Sequence, residues 1–211
     1  MKYFELFPKV ITNDVNGTSL IATNLMARVN ILPELQNNPL LFYAYDMQDG
    51  DKPDTIAAKY YNNPYRYWIF LYGNNIMDPA AELPLSVHNF EAYLNDKYED
   101  AAILADMETI PYTQFTPYQY QKIVTTLDSV TDIETIRYFN VDIDTYISIS
   151  ELAVNLNFFD DGSLVTITTT KRILSIFDYE NDLNESKRQV KLINTTYAAD
   201  MEKKFKSLMN P

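Results

Sequence analysis

A chain of 211 residues with 46% hydrophobic and 22% charged content has the composition of a globular protein of one or two small domains, which excludes a disordered chain. Its formal charge of -12 repels phosphate backbones, and no cluster of Lys and Arg alternates with aromatics to offset this locally, so no nucleic-acid partner is expected. The absence of cysteine removes disulfides, thiolate metal sites and cysteine redox chemistry.

The start, MKYFELFPKV, carries Glu5 and Pro8 inside the would-be apolar stretch, and no small-residue cleavage site follows. Neither a signal peptide nor a membrane span is expected. Ser19 to Val29 sets Leu20, Ile21, Leu25, Met26 and Val29 at apolar positions and predicts a short helix with Ser19 as cap. Pro33 and Pro39 make the following stretch an extended linker, so that residues 1–40 form an N-terminal arm.

Tyr43 to Leu85 reads as a strand, two helices and a return strand. The first helix begins near Asp54 and places Ile56, Ala57 and Tyr60 on one side. Asn63-Pro64 opens the second with a good cap and proline at the first helical position, and Gly73 is expected to close it in a left-handed conformation. Between these brackets PYRYWIFLY has Arg66 as its only charge and is apolar on every sector, a pattern that demands cover all round. A module of this size covers about half of such a cylinder, so the other half meets either the rest of the chain or another protein.

Phe90, Tyr93, Leu94, Lys97 and Tyr98 suggest a further helix whose polar face is Glu91, Asn95 and Asp96. From Thr109 to about Thr170 the signal shifts towards strands: Ile147-Ser-Ile149 and Leu164 to Thr168 alternate with period two, and Asp160-Asp161-Gly162 reads as a hairpin turn. Arg188 to Ile193 alternates again. Asn194-Thr195-Thr196 then caps a last helix with Tyr197, Met201, Phe205 and Leu208 on one face.

Catalytic signatures are sparse. His88 is the only histidine and has no nucleophile marked beside it, and Gly17, Gly50, Gly73 and Gly162 are too dispersed for a phosphate-cradling loop. Asp46, Asp49, Asp51 and Asp54 cluster at a turn but lack the spacing of a calcium loop, and turn and cap chemistry is the expected role. Asp142-Ile-Asp144 resembles the two-carboxylate element of some sugar transferases, yet with no nucleotide-binding loop it reads as a solvated strand edge or turn. No catalytic residue, cofactor or metal is expected. Seventeen tyrosines and eleven phenylalanines are present instead, and tyrosine is a favoured interface residue because it offers apolar area with a polar end. Tyr112, Tyr118 and Tyr120, punctuated by Pro111 and Pro117, are expected to lie extended on a partner.

Tyr45, the Gly50-Asp51 turn, Asp54-Thr55-Ile56-Ala57, Tyr60, Asn74-Asn75-Ile76 and Asp78-Pro79 together resemble the LysM pattern of strand, helix, helix and strand. Lys52-Pro53 is inserted before the helix, Tyr67-Trp68-Ile69 precedes the asparagines, and Pro84-Leu85-Ser86 follows. That variant is similar to the LysM-like module of baseplate wedge proteins of contractile-tailed phages. With Phe4 to Pro8, Phe90 to Tyr98 and the tail around Asn184 to Ile193, the chain resembles the wedge subunit fifty-three family of T-even-type phages. Residues from about Ala101 to Thr170 carry no part of the likeness.

The resemblance implies a structural virion protein of the tail baseplate, assembled in the host cytoplasm, which fastens neighbouring wedges. Its implied partners are other wedge subunits and the central hub, with six copies per plate if one sits in each wedge. The rival reading is a peptidoglycan-binding LysM module of a cell-wall protein. The expected fold class is α+β: a LysM-like strand-helix-helix-strand module flanked by an N-terminal extended or helical arm (1–40), with the module and following helix at 41–99, then a β-rich region and C-terminal helix at 100–211. Within the module, Tyr45, Ile56, Trp68, Ile69 and Ile76 are the expected core, and Tyr60, Tyr61, Tyr65, Arg66, Tyr67 and Tyr72 the expected partner interface.

Overall fold

The computed structural model describes residues 3–13, 15, 17–27, 38–159 and 162–209, and its fold is mixed α/β. The chain divides into two compact units, Met1–Val87 with Asn184–Pro211, and His88–Leu183. This grouping differs from the expected divisions at residues 40 and 99, because the tail returns to pair and pack with the first part of the chain.

The first unit begins with a 3-10 turn, Tyr3–Leu6, and a hairpin of β1 (Lys9–Asn13) and β2 (Ser19–Thr23), in register from Lys9↔Thr23 to Asn13↔Ser19. The helix expected from Ser19 is therefore a strand at its start. Val10-Ile11-Thr12 supplies β-branched partners for Leu20-Ile21-Ala22, and that pairing overrides the short helical period. Val29 and Pro33 lie outside the described residues. Pro39 opens a 3-10 turn, Pro39–Leu41, capped by Asn38 Oδ1 accepting from the Leu40 N–H at 3.0 Å, where an extended linker was expected.

β3 (Phe42–Asp46) leads into α1 (Pro53–Tyr61), whose first turn is tied by the Lys52 N–H donating to Thr55 Oγ1 at 2.9 Å. Asn62 ends this helix in a left-handed conformation. Asn63 Oδ1 then accepts from the Tyr65 N–H at 3.0 Å, so the Asn-Pro cap acts as expected. It opens a 3-10 turn, Pro64–Arg66, before α2 (Tyr67–Gly73). Gly73 is not left-handed; that role falls to Asn75, two residues on. Gly73 is needed for close approach, since a Cβ there would lie 3.2 Å from two side-chain carbons of Ile193.

No strand occurs over residues 74–86, which hold only the short α3 (Pro79–Glu82). The expected return strand is supplied instead by β8 (Gln189–Ile193), antiparallel to β3 from Phe42↔Ile193 to Asp46↔Gln189. Two apolar clusters result. One joins Phe7, Ala57, Tyr61, Trp68 and Ile69 to Ile193 and to the last helix, α8 (Thr195–Met209). The other joins Met47, Ile56, Phe70 and Leu83 to Val190 and Leu192. α2 lies in both, so its all-round apolar surface is covered within the chain. The buried face of α8 is Ala198, Phe205 and Met209; Met201 packs beside them as expected, but Tyr197 and Leu208 face outward.

The second unit contains α4 (Val87–Leu104), on which Phe90 and Leu94 are buried as their spacing predicts, and α5 (Thr109–Phe115). Tyr112 is thus helical, not extended; Tyr118 and Tyr120 lie on β4 (Pro117–Asp128). β4, β5 (Glu134–Val141), β6 (Leu152–Phe158) and β7 (Leu164–Ser175) form one antiparallel sheet in the order β5-β4-β7-β6. Gly162, at φ +82°, lies between β6 and β7; Asp160 and Asp161 of the expected turn are outside the described residues. The Ile147-Ser-Ile149 alternation is not a strand, because Asp142 Oδ1 accepts from the Thr145 N–H at 2.6 Å and caps α6 (Ile143–Ser148). α7 (Ile176–Ser186) follows β7.

Candidate partner-binding surface

The six tyrosine-rich interface positions fall mostly inside the first unit. Tyr61 is buried, and Tyr60, Tyr67 and Tyr72 are half-buried against the first apolar cluster. The Tyr72 hydroxyl shares a hydrogen bond of 2.7 Å with that of Tyr3. Arg66 is held within the chain: its Nε and Nη2 donate to the two carboxylate oxygens of Glu202 at 2.9 Å and 3.2 Å. Tyr65 alone of the six stays open, at 50% exposure.

Ile56, Trp68 and Ile69 are buried, and Tyr45 and Ile76 are half-buried against the second cluster. Trp68 lies against Phe205 with ring centroids 4.7 Å apart and stacks on Tyr3 at 5.8 Å.

The acidic turn is structural. Asp51 Oδ2 accepts from the Tyr45 hydroxyl at 2.7 Å and the Gln48 N–H at 3.0 Å, while Oδ1 accepts from Lys59 Nζ at 2.9 Å. Burial pushes the Asp51 carboxyl up, but these donors prevail and hold it below its ordinary range. The same bond, with burial, raises the Tyr45 hydroxyl to about 12. Among the described residues no group of three or more His, Cys, Asp or Glu could hold a metal ion, and no helix is long and apolar enough to cross a membrane.

Two surfaces escaped the reading of the sequence. Beside Trp68 lies a hollow of about 500 Å³ bordered by Phe4, Leu25, Tyr67, Tyr72 and Met77. Its parts come from three separated segments, so no local pattern announced it. The second is an open sheet face in the other unit, whose signal was present in the Leu152-x-Val154-x-Leu156-x-Phe158 alternation. No protein-family model matches this sequence, and no curated protein matches it.

Proposed function

We propose that this chain is a structural component of a phage tail baseplate, a wedge subunit that fastens neighbouring wedges. The observation that carries the reading is the meeting of separated segments. Of the segments that bear the wedge-protein likeness, Phe4 to Pro8, Tyr43 to Leu85 and Asn184 to Ile193 converge in one unit, while Phe90 to Tyr98 belongs to the other: β8 pairs with β3, and Phe7 packs in the cluster of Trp68. On this reading β3, α1, α2 and β8 are the LysM-like strand-helix-helix-strand module, with residues 88–183 inserted before its last strand. Because Arg66 is engaged internally, the neighbour-facing surface on this reading is Phe4 with Met77 on the rim of the hollow, together with Tyr65 of a second hollow that shares Phe4.

The test is quantitative mass spectrometry and immunogold labelling of purified virions. Six copies per particle, with label at the tail end, is the expected result; absence from particles purified free of cell debris overturns the reading. The rival role in peptidoglycan binding is separated by sedimentation with purified sacculi. The wedge reading expects no clearing of the wall suspension and little cosedimentation, since Trp68, the aromatic best suited to stack on a sugar, is only 2% exposed.

A further inference from the structure

The two units do not share the net charge. Residues 88–183 hold 17 of the 29 acidic residues but only five of the 17 basic ones, so the whole formal charge of -12 resides in the second unit and the first is balanced. Within its own unit, and among the described residues, the sheet has one apolar face without cover. Its rungs are Tyr138-Ile123-Thr170-Leu152 and Ile136-Thr125-Thr168-Val154, with Leu127, Thr166 and Leu156 continuing the inner and β6 columns.

On the outer strand the usual pattern is inverted. Val154, Leu156 and Phe158 are 52%, 53% and 76% exposed on this side, while Asn155 and Asn157 point to the side that carries α6. There Tyr146 of α6 packs on Tyr120 at 5.1 Å, and Lys171 Nζ lies 4.9 Å over the Tyr146 ring. The sheet is thus apolar on both sides: Tyr120, Val124, Val141, Ile167 and Ile173 lie on the side of α6, and the outward apolar residues of β6 extend the second, open face, which suits it to be covered by something else.

We propose that this face docks a basic amphipathic helix of a partner protein. Four strands at the usual spacing make a face about 14 Å wide, and the paired rungs run about 20 Å. A helix about 10 Å across and of roughly 14 residues fits that area. The threonine column Thr166, Thr168 and Thr170 is a low strip between the bulkier Leu152, Val154 and Leu156 on one side and Ile123 and Leu127 on the other, which seats a cylinder better than a flat surface. Acidic side chains border one end, Glu134 opposite Leu127 and Asp132 in the adjoining turn, where lysines or arginines of the helix find their counter-charges. Arg172 at the opposite end is occupied, donating to Gln121 Oε1 at 2.8 Å with its guanidinium 5.2 Å over the Tyr138 ring. The same charge disfavours a second copy as occupant, since each copy would bring its own -12. This inference is independent of the wedge reading, as its test uses no virion.

The test uses the full chain and a labelled synthetic peptide of about 14 residues, leucine at helical i, i+3, i+4 and i+7 positions and lysine elsewhere, beside a twin with glutamate for lysine. Saturable binding of the lysine peptide is expected by fluorescence anisotropy, at least tenfold weaker for Val154→Asn with Leu156→Asn and also weaker for Asp132→Lys with Glu134→Lys. The glutamate twin should not saturate. Equal binding by the asparagine variant means attraction by charge alone, and that result, or no binding of the lysine peptide, overturns the proposal. So does a dimer by sedimentation equilibrium that Leu156→Asn dissolves, which would make the face a self-interface. The asparagine positions are exposed, so unchanged melting is expected; if that variant fails to fold, the Asp132 and Glu134 variant decides.

Discussion

Arg66 grips Glu202 across 136 residues of sequence, with both carboxylate oxygens engaged and the two side chains 23% and 18% exposed. A third donation, from Nη1 to the Tyr61 carbonyl at 3.4 Å, ties the fork to the end of α1. This pair fastens the last helix to the turn before α2, so Arg66 is a folding residue before it is an interface residue. Paired forks of this kind contribute more than an exposed ion pair and less than a wholly buried one.

Arg66→Ala should therefore lower stability by about 1–3 kcal/mol, between the exposed and buried limits. Arg66→Lys should recover only part, because an ammonium keeps the charge but not the planar fork. A double-mutant cycle with Glu202→Gln, read by urea melts, measures the coupling directly. Additive effects would show that the pair contributes nothing.

Trp68→Ala should cost about 3–5 kcal/mol, as large-to-small core changes do. The ring is buried among Tyr3, Tyr72 and Phe205, from the start of the chain, α2 and the last helix. Against a typical domain stability of about 5–15 kcal/mol, that loss brings the first unit close to unfolding. Loss or a large downward shift of the cooperative melting transition, followed by far-ultraviolet dichroism, is the expected readout, and an unchanged melt would place the ring outside the core.

What could be read from the sequence was what is decided locally. The Asn63-Pro64 cap, the Arg188 to Ile193 strand and the buried Phe90 and Leu94 each depend on residues within a turn or two. The partner of β3 was not legible, because Phe42 and Ile193 are brought together only after an entire second unit has been passed. For the same reason the helix apolar on every side was legible as needing cover, but not that Val190 and Leu192 would give it on one side and Phe205 on the other. Ser19 to Thr23 and Ile147 to Ile149 went wrong in opposite directions. Short apolar runs fit both periods, and a strand partner in one case and an aspartate cap in the other decided between them.

Gly73→Ala tests the close approach of α2 to β8. Alanine improves helix propensity by about 1 kcal/mol, but its Cβ meets Ile193 at 3.2 Å and Phe42 at 3.5 Å. Overpacking costs about 1–3 kcal/mol where neighbours are fixed, and Ile193 is pinned in the β3–β8 ladder, so net destabilisation is expected. Adding Ile193→Val removes one of the two crowded carbons and should restore part of the loss in a thermal melt. A more stable single variant would mean that Ile193 moves aside freely.

Glu180 is expected to contribute to the acid response of the second unit. Its side chain is buried, and burial alone would raise its pKa, yet Lys97 Nζ at 2.7 Å and the Tyr98 and Tyr93 hydroxyls at 2.6 Å and 3.1 Å hold it below the ordinary 4.5. A carboxyl depressed in the folded state contributes its stability in full above the unfolded value and loses it as the pH falls through the folded value. Glu180→Gln should thus melt well below the wild type at neutral pH. The gap should stay flat down to about pH 5.5 and close progressively below 4.5 as the wild-type carboxylate takes up its proton. Melting temperatures of both proteins from neutral pH to about pH 3 check this; a gap that does not narrow in acid would assign the acid transition to other carboxylates.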